Sequence, residues 1–404
     1  MRTKALPALL ISNLAFSSLF AAAKTESATV PMILDHNRII ISIGVNLPNG
    51  TVKKVQAWVD NGTPTMTITE HLSNELGLKT ISKPTATEGL MVSAPAKIQI
   101  GGMEIGLIGP KESIEVENSP TVAGGVNAEI SLSSTVLKNY DVVIDYPDKK
   151  FTIASAGVVH FSGKAVEGFF NPQNYLIQIP GEVDGHHFNL ALDIGTPVSF
   201  ISADLITKWK KAHTSWPTVT GAIGIANLWG LDDEPKWQLL RLNKISYGGI
   251  EFPDPIAVSF PADRLDYFKK RAGIATAGLF GAASMLNYRV GIDYAHQKVY
   301  FERITNPVGA GMDLVGLVLR PEERGYYSIL GVADYNGKLS VDGVLKGDIL
   351  KKVNNISIDG LTMGKVWSLL RGTPGSVYTL TVERAGKQFT VKTKVQRFLG
   401  NGRS

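Results

Sequence analysis

The octapeptide "NYDVVIDY" at 139–146 returns as "NYRVGIDY" at 287–294, with six of eight positions identical. Each copy leads into a turn and another strand-like run, "PDKKFTIAS" in one case and "AHQKVYFER" in the other. A second landmark precedes each copy in the same order. Asp-x-Gly-Thr-Pro stands in "AWVDNGTPTM" (57–66), 85 residues before Asp145, and in "ALDIGTPVSF" (191–200), 100 residues before Asp293. Two ordered landmarks at similar spacing require that one structural unit occurs twice, over about 30–155 and about 158–303.

Both units read as β-rich. "RIIISIGV" and "YLIQIPGEV" alternate in hydrophobicity and are rich in β-branched residues. A second run, "KKVQAWVD" or "HHFNLALD", ends on the motif aspartate, and the Gly-containing hairpins "AKIQIGGMEI" and "NKISYGGIEF" follow. Helical spacing is confined to short stretches such as "TITEHLSNELGL" and "ADLITKWKKA". The last hundred residues are no third copy. After a boundary near Asn306–Gly311, a Gly347-Asp348 turn opens a strand, a helix is expected at Met363–Leu370, and a Pro-Gly turn leads into a hairpin.

An aspartate beside a Gly turn is by itself an ordinary turn former. Occurring twice in related units, it acquires chemistry. If the units pack about a pseudo-twofold axis, Asp60 and Asp193 meet, and two adjacent carboxylates share one proton rather than both ionise. One then serves as base toward a water and the other as hydrogen-bond donor to a carbonyl. Gly62 and Gly195 let backbone amides approach, while Thr63 and Thr196 offer hydroxyls to fix the carboxylates.

In these residues each unit resembles the retropepsin/pepsin-like aspartic peptidase lobe, whose hallmark is two hydrophobic residues followed by Asp-Thr/Ser-Gly-Thr/Ser. "WVDNGT" and "ALDIGT" match its aspartate, glycine and following hydroxyl, and "AGLFGAASML" (277–286) matches a later hydrophobic-hydrophobic-Gly stretch at Gly281. The resemblance implies a mainly β chain with two tandem β-barrel lobes in a pepsin-type pseudo-dimer. It also implies an endopeptidase whose catalytic pair is Asp60 and Asp193. A substrate-covering flap is expected in "TVTGAIGIANLWGLDDEPKW" (218–237), with Gly221, Gly224 and Trp229 at the cleft. A weaker flap candidate in the first unit is "TEGLMVSAPAK". Three positions depart from the family: Asn61 and Ile194 replace a hydroxyl that braces the two loops, and Ser131 is read as the counterpart of Gly281. They motivate a competing expectation, a peptidase fold kept for binding peptides or as a scaffold without turnover.

Residues 313–398 resemble a PDZ domain of bacterial type, an α+β fold, through "VLKGDILKKVNNISI" and "LLRGTPGSVYTLTVERAGK" in order. Such domains add an extended peptide to a sheet edge. The resemblance places the peptide-capturing loop in "VGLVLRP", at Gly316, Leu317 and Val318, with a C-terminal peptide as ligand.

The remaining features bound the setting. Residues 1–23 read as a signal peptide: Arg2 and Lys4, a short apolar region from Ala5 to Phe20, then three alanines. Export to a periplasm or the exterior is expected, with no stable membrane span in the mature chain. Cysteine is absent, which excludes disulfides and thiolate chemistry. The net charge of +5 is spread without a basic run, so nucleic acid is not an expected partner. His186-His187 alternate across a strand and cannot share an ion, "LDDEP" (231–235) reads as a solvated acidic loop, and no Gly-x-Ser-x-Gly elbow occurs. No metal or cofactor is called for, and the partner is a peptide or protein substrate.

Overall fold

The computed structural model describes residues 25–84, 89–107, 113–117, 128–306 and 311–400. The expected signal peptide, most of the 306–311 boundary, and Thr87 and Glu88 of the first flap candidate lie outside them. The chain is mainly β, with 47% strand against 14% helix, and its strands fall into several sheets.

The octapeptide repeat sits where the two halves meet. Tyr140–Asp145 pairs antiparallel with Tyr288–Asp293, and Val143 lies opposite Gly291, its own counterpart in the repeat. Asp141 then faces Asp293, and Asp145 faces Arg289, so the pairing is symmetric about the Val143/Gly291 step. The aspartate ending each copy turns the chain: Asp145 Oδ1 accepts from Asp148 N (3.0 Å), and Asp293 Oδ1 accepts from His296 N (2.9 Å). Gly replaces Val at 291 for a steric reason, because a Cβ there would lie 2.5 Å from Phe161 Cδ1.

Equivalent elements surround each Asp-x-Gly-Thr-Pro motif. Val52–Val59 and His186–Asp193 deliver the aspartates, and each runs parallel to a later strand, Ile130–Leu132 or Gly278–Gly281. A short helix follows each motif, Glu70–Glu75 capped by Thr69 and Ala203–Ala212 capped by Ser202. Both caps stand nine residues after the motif aspartate, and their hydroxyls accept from Leu72 N and Leu205 N.

The sheets differ from the barrels expected from sequence. Among the described residues none closes on itself. One sheet of 15 strands joins the first half to Tyr288–Asp293 and Lys298–Arg303 of the second. A sheet of 12 strands in the second half continues, through Thr220 opposite Asp334, into the C-terminal segment. Strand edges that would have to meet to close a barrel are spent on pairing between parts of the chain. The C-terminal segment contributes its own six-stranded sheet, in which Leu317–Pro321 is an outer strand. Helix Met363–Leu370 and hairpin Val377–Arg384/Lys387–Lys394 stand at the expected positions. Gly347 adopts φ +92°, and Asp348 accepts from Leu345 N (2.8 Å) and from Arg384 Nε (2.7 Å), which makes the Gly-Asp turn rigid.

No helix among the described residues is long and apolar enough to cross a membrane.

Candidate functional site

The two motif loops lie against each other crosswise. A Cβ placed on Gly62 would fall 2.3 Å from Asp193 Oδ2, and one on Gly195 would fall 2.3 Å from Asp60 Oδ1. Each carboxylate therefore rests on the opposite glycine, where any side chain would displace it. Asp60 and Asp193 are both buried, and both open onto one cavity of about 320 Å³. That volume suits a short stretch of peptide. Thr63, Thr65, Thr67, Glu115 and Glu129 line one side, with Trp229, Tyr267, Phe268 and Leu279 on the other.

The departures from the family pattern acquire a role here. Asn61 Nδ2 donates to Leu192 O (3.1 Å), and Ile194 N donates to Asn61 Oδ1 (2.9 Å). One amide thus makes both cross-loop hydrogen bonds, and Ile194 is free to fill the core, where it is fully buried. Ser131 is not the counterpart of Gly281. Asp193 pairs with Gly281, whereas Leu132 pairs with Val59, so the residue level with Asp60 is Ser133. The same register follows from Ser134 N donating to Thr63 O and Ala282 N donating to Thr196 O. Sequence similarity alone misses the two-residue offset because the stretch "EISLSS" offers several serines. Ser131 Oγ instead accepts from Thr67 N (2.8 Å).

Hydrogen bonding makes the two carboxylates unequal. Asp193 accepts from Gly195 N (2.9 Å), Thr196 N (2.9 Å) and Thr196 Oγ1 (2.6 Å). Asp60 accepts from Gly62 N (2.8 Å), and Thr63 Oγ1 instead receives a long bond from Thr65 N. Burial pushes both carboxyls above the ordinary range. For Asp60 the adjacent Asp193 charge raises it further, to well above the usual value, against the pull of Gly62 N and Arg38. For Asp193 the Thr196 and Gly195 donors and Arg38 offset the burial. Donors stabilise the ionised form, so Asp193, which accepts three hydrogen bonds against one for Asp60, is the better placed of the two to carry charge.

A four-residue turn unremarked in the sequence holds this site to its surroundings. Asp35-His36-Asn37-Arg38 joins strands Ser27–Asp35 and Arg38–Asn46, with His36 and Asn37 both at left-handed φ (52° and 60°), as a two-residue hairpin requires. Asn37 Nδ2 donates to Pro197 O in the second motif loop (3.2 Å). Arg38 is fully buried, donates from Nη2 to Leu228 O (2.9 Å) and sits 5.7 Å from the Trp58 ring. Burial lowers the Arg38 guanidinium to about 10, against the pull of Asp35, Asp60, Glu234 and Asp193. His36 Nε2 meets Asn227 O at 2.9 Å, and burial beside Arg38 drives its imidazole down to about 3, so it is neutral and donates. Asp35 reaches the C-terminal segment, accepting from Thr362 Oγ1 and from Gly364 N (2.9 Å) at the start of helix Met363–Leu370. The one sequence signal was a polar quartet with an acidic and a basic end, leading into an apolar strand.

The flap expected at 218–237 is a hairpin, with Thr218–Thr220 paired to Gln238–Leu240, but it does not cover the cleft as a free lid. Of its three named residues only Trp229 lines the cavity, stacked on Phe200 at 5.7 Å. Gly221 and Gly224 point away from it, against Ala333 and Leu314 of the C-terminal segment. The acidic stretch is also not wholly solvated. Asp232 is exposed and pairs with Lys346 (2.9 Å), yet Glu234 is fully buried, bonded by Asn227 Nδ2 and Trp229 N, and raised by burial to about 7. Two buried donors admit a carboxylate where composition suggested water. In the first half, Leu90–Ser93 pairs with Ser113–Val116, whose Glu115 lines the cleft.

Gly316, Leu317 and Val318 are not open to a peptide. Leu317 and Val318 are fully buried, and a Cβ on Gly316 would lie 2.4 Å from Ser340 Oγ. Their polar groups are engaged within the fold, Leu317 N with Val315 O and Gly316 O with Ala333 N.

No protein-family model matches this chain, and no curated protein matches it.

Proposed function

We propose that the chain is an exported aspartic endopeptidase of the retropepsin/pepsin-like type, with two lobes in one chain and a C-terminal PDZ domain. The observation that carries this reading is the crosswise seating of Asp60 and Asp193, each against the opposite glycine, at the floor of one cavity. Asp193, the carboxylate with three donors, serves as the base and takes a proton from a water that attacks the peptide carbonyl carbon. Asp60, holding the shared proton, donates it to the carbonyl oxygen as the tetrahedral species forms. Collapse of that species returns a proton to the departing amine and regenerates the pair. The threonine-rich wall suits backbone hydrogen bonding, and the aromatic wall suits a bulky apolar side chain. The competing expectation of a non-catalytic binder drew on Asn61, Ile194 and Ser131. The two hydrogen bonds of Asn61 favour the peptidase reading over it, while Ser133 still stands where the second half has Gly281.

Incubation of a peptide pool with purified protein between about pH 3 and 8, where carboxylate pairs operate, tests the reading. The wild type should cleave and Asp193→Asn should not. Equal cleavage by both forms, or none by either, would sink it.

A further inference from the structure

We propose that residues 222–234 are an internal ligand for the open edge of the C-terminal sheet, and that this seating fixes the wall of the cleft. The second part rests on the peptidase reading above; the first does not.

Leu317–Pro321 pairs on one side with Tyr327–Val332 and, among the described residues, has no strand on the other. On that open side Asn227 takes the place of a paired residue. Leu319 N donates to Asn227 Oδ1 and Asn227 Nδ2 donates to Leu319 O, both at 2.9 Å. The side-chain amide thereby imitates the pair of main-chain bonds by which an added peptide strand is held at a sheet edge. Three glycines bring the segment close. Gly221, Gly224 and Gly230 adopt φ of +110°, +55° and +67°, and Cβ atoms there would lie about 3 Å from Ala333, Leu314 and Arg320 respectively. Ile223, Ile225 and Leu228 belong to one apolar core with Leu317, Val366 and Leu370.

The same segment builds the cleft. Leu228 and Trp229 follow Asn227 directly and line the cavity with Asp60 and Asp193. Glu234 binds the Asn227 amide and Trp229 N, and Arg38 and His36 hold Leu228 O and Asn227 O. Asn227 therefore joins the C-terminal sheet edge to the aromatic wall within three residues. An extended peptide that pairs with Leu317–Pro321 must first displace Asn227, and in doing so releases Leu228 and Trp229. The C-terminal module is thus a positioning element for substrate, closed in this state by its own chain.

Asn227→Ala in the full chain tests this by hydrogen exchange and by cleavage kinetics. Protection should fall together in 222–237 and 313–321, KM for a reference peptide should rise about tenfold or more, and kcat should stay within about twofold. If the variant does not fold, Asn227→Ser, which gives up the paired bonds to Leu319 but keeps a small neutral polar group beside Glu234, takes its place. Loss of protection in only one segment, or in neither, overturns the internal-ligand proposal whether or not the protein cleaves anything. Joint loss of protection with an unchanged KM overturns the positioning role alone, and absent cleavage in the wild type counts against the peptidase reading instead.

Discussion

Asn61 is the sharpest point at which to test the site, because one buried side chain is asked to hold both loops. In Asn61→Leu the volume is nearly kept, while Leu192 O and Ile194 N lose their partners at 3.1 and 2.9 Å. Both groups are inside the protein, and each buried backbone group left unpaired costs about 1–3 kcal/mol. Burying a leucine side chain recovers about 1.5–3 kcal/mol. The expected net loss is about 2 kcal/mol, read as a lower urea midpoint at unchanged slope in tryptophan fluorescence. Loosening the loops also shifts each carboxylate from its opposite glycine, and a displacement of about 1 Å costs on the order of a hundredfold in turnover. A stability loss under about 0.5 kcal/mol with unaltered cleavage would refute the reasoning, since it would mean that the two bonds do not carry the loop contact.

Gly195→Ala should abolish cleavage while the circular dichroism spectrum stays β-rich, because its Cβ would sit 2.3 Å from Asp60 Oδ1; retained cleavage would show that the pair tolerates displacement. Stability should peak at mildly acidic pH. The unfolded chain protonates His36 near 6.5 but the fold resists until about 3, so stability falls as pH drops through that window, by up to about 5 kcal/mol. Glu234 keeps its proton to about 7 in the fold but loses it near 4.5 when unfolded, so stability falls as pH rises through that window, by up to about 3 kcal/mol, and the raised aspartate pair adds to the same limb. His36→Asn, which tolerates the left-handed turn, should flatten only the acid limb of melting temperature against pH. Asp35→Ala leaves the Thr362 cap of helix Met363–Leu370 but removes the acceptor of Gly364 N and of the Thr362 hydroxyl, and should cost about 1 kcal/mol, visible as faster exchange at Gly364.

The two halves of the chain were legible because repetition survives in sequence as identity. The strands ending on Asp60 and Asp193, the short helices after each motif, the Gly347-Asp348 turn and helix Met363–Leu370 follow from alternation, helical spacing and turn chemistry, all of them local. The register at Ser133 was not legible, since a serine-rich stretch aligns equally well two residues away and only strand pairing chooses. Nor was the burial of Glu234 or the fate of 218–237. A glycine-spaced hairpin has the same local pattern whether it covers a cleft or fills a groove.

Sequence by itself determined a duplicated β-rich unit, two aspartates in matching loops and a different C-terminal segment, since these depend on residues close together in the chain. Tertiary structure alone decided that one asparagine braces both loops, that Asp60 and Asp193 are buried on one cavity, and that Asn227 is bonded to Leu319 at the C-terminal sheet edge. Each of those depends on groups that arrive from about ninety or more residues away, and on how fully water is excluded where they meet. Neither is written in any local pattern of residues.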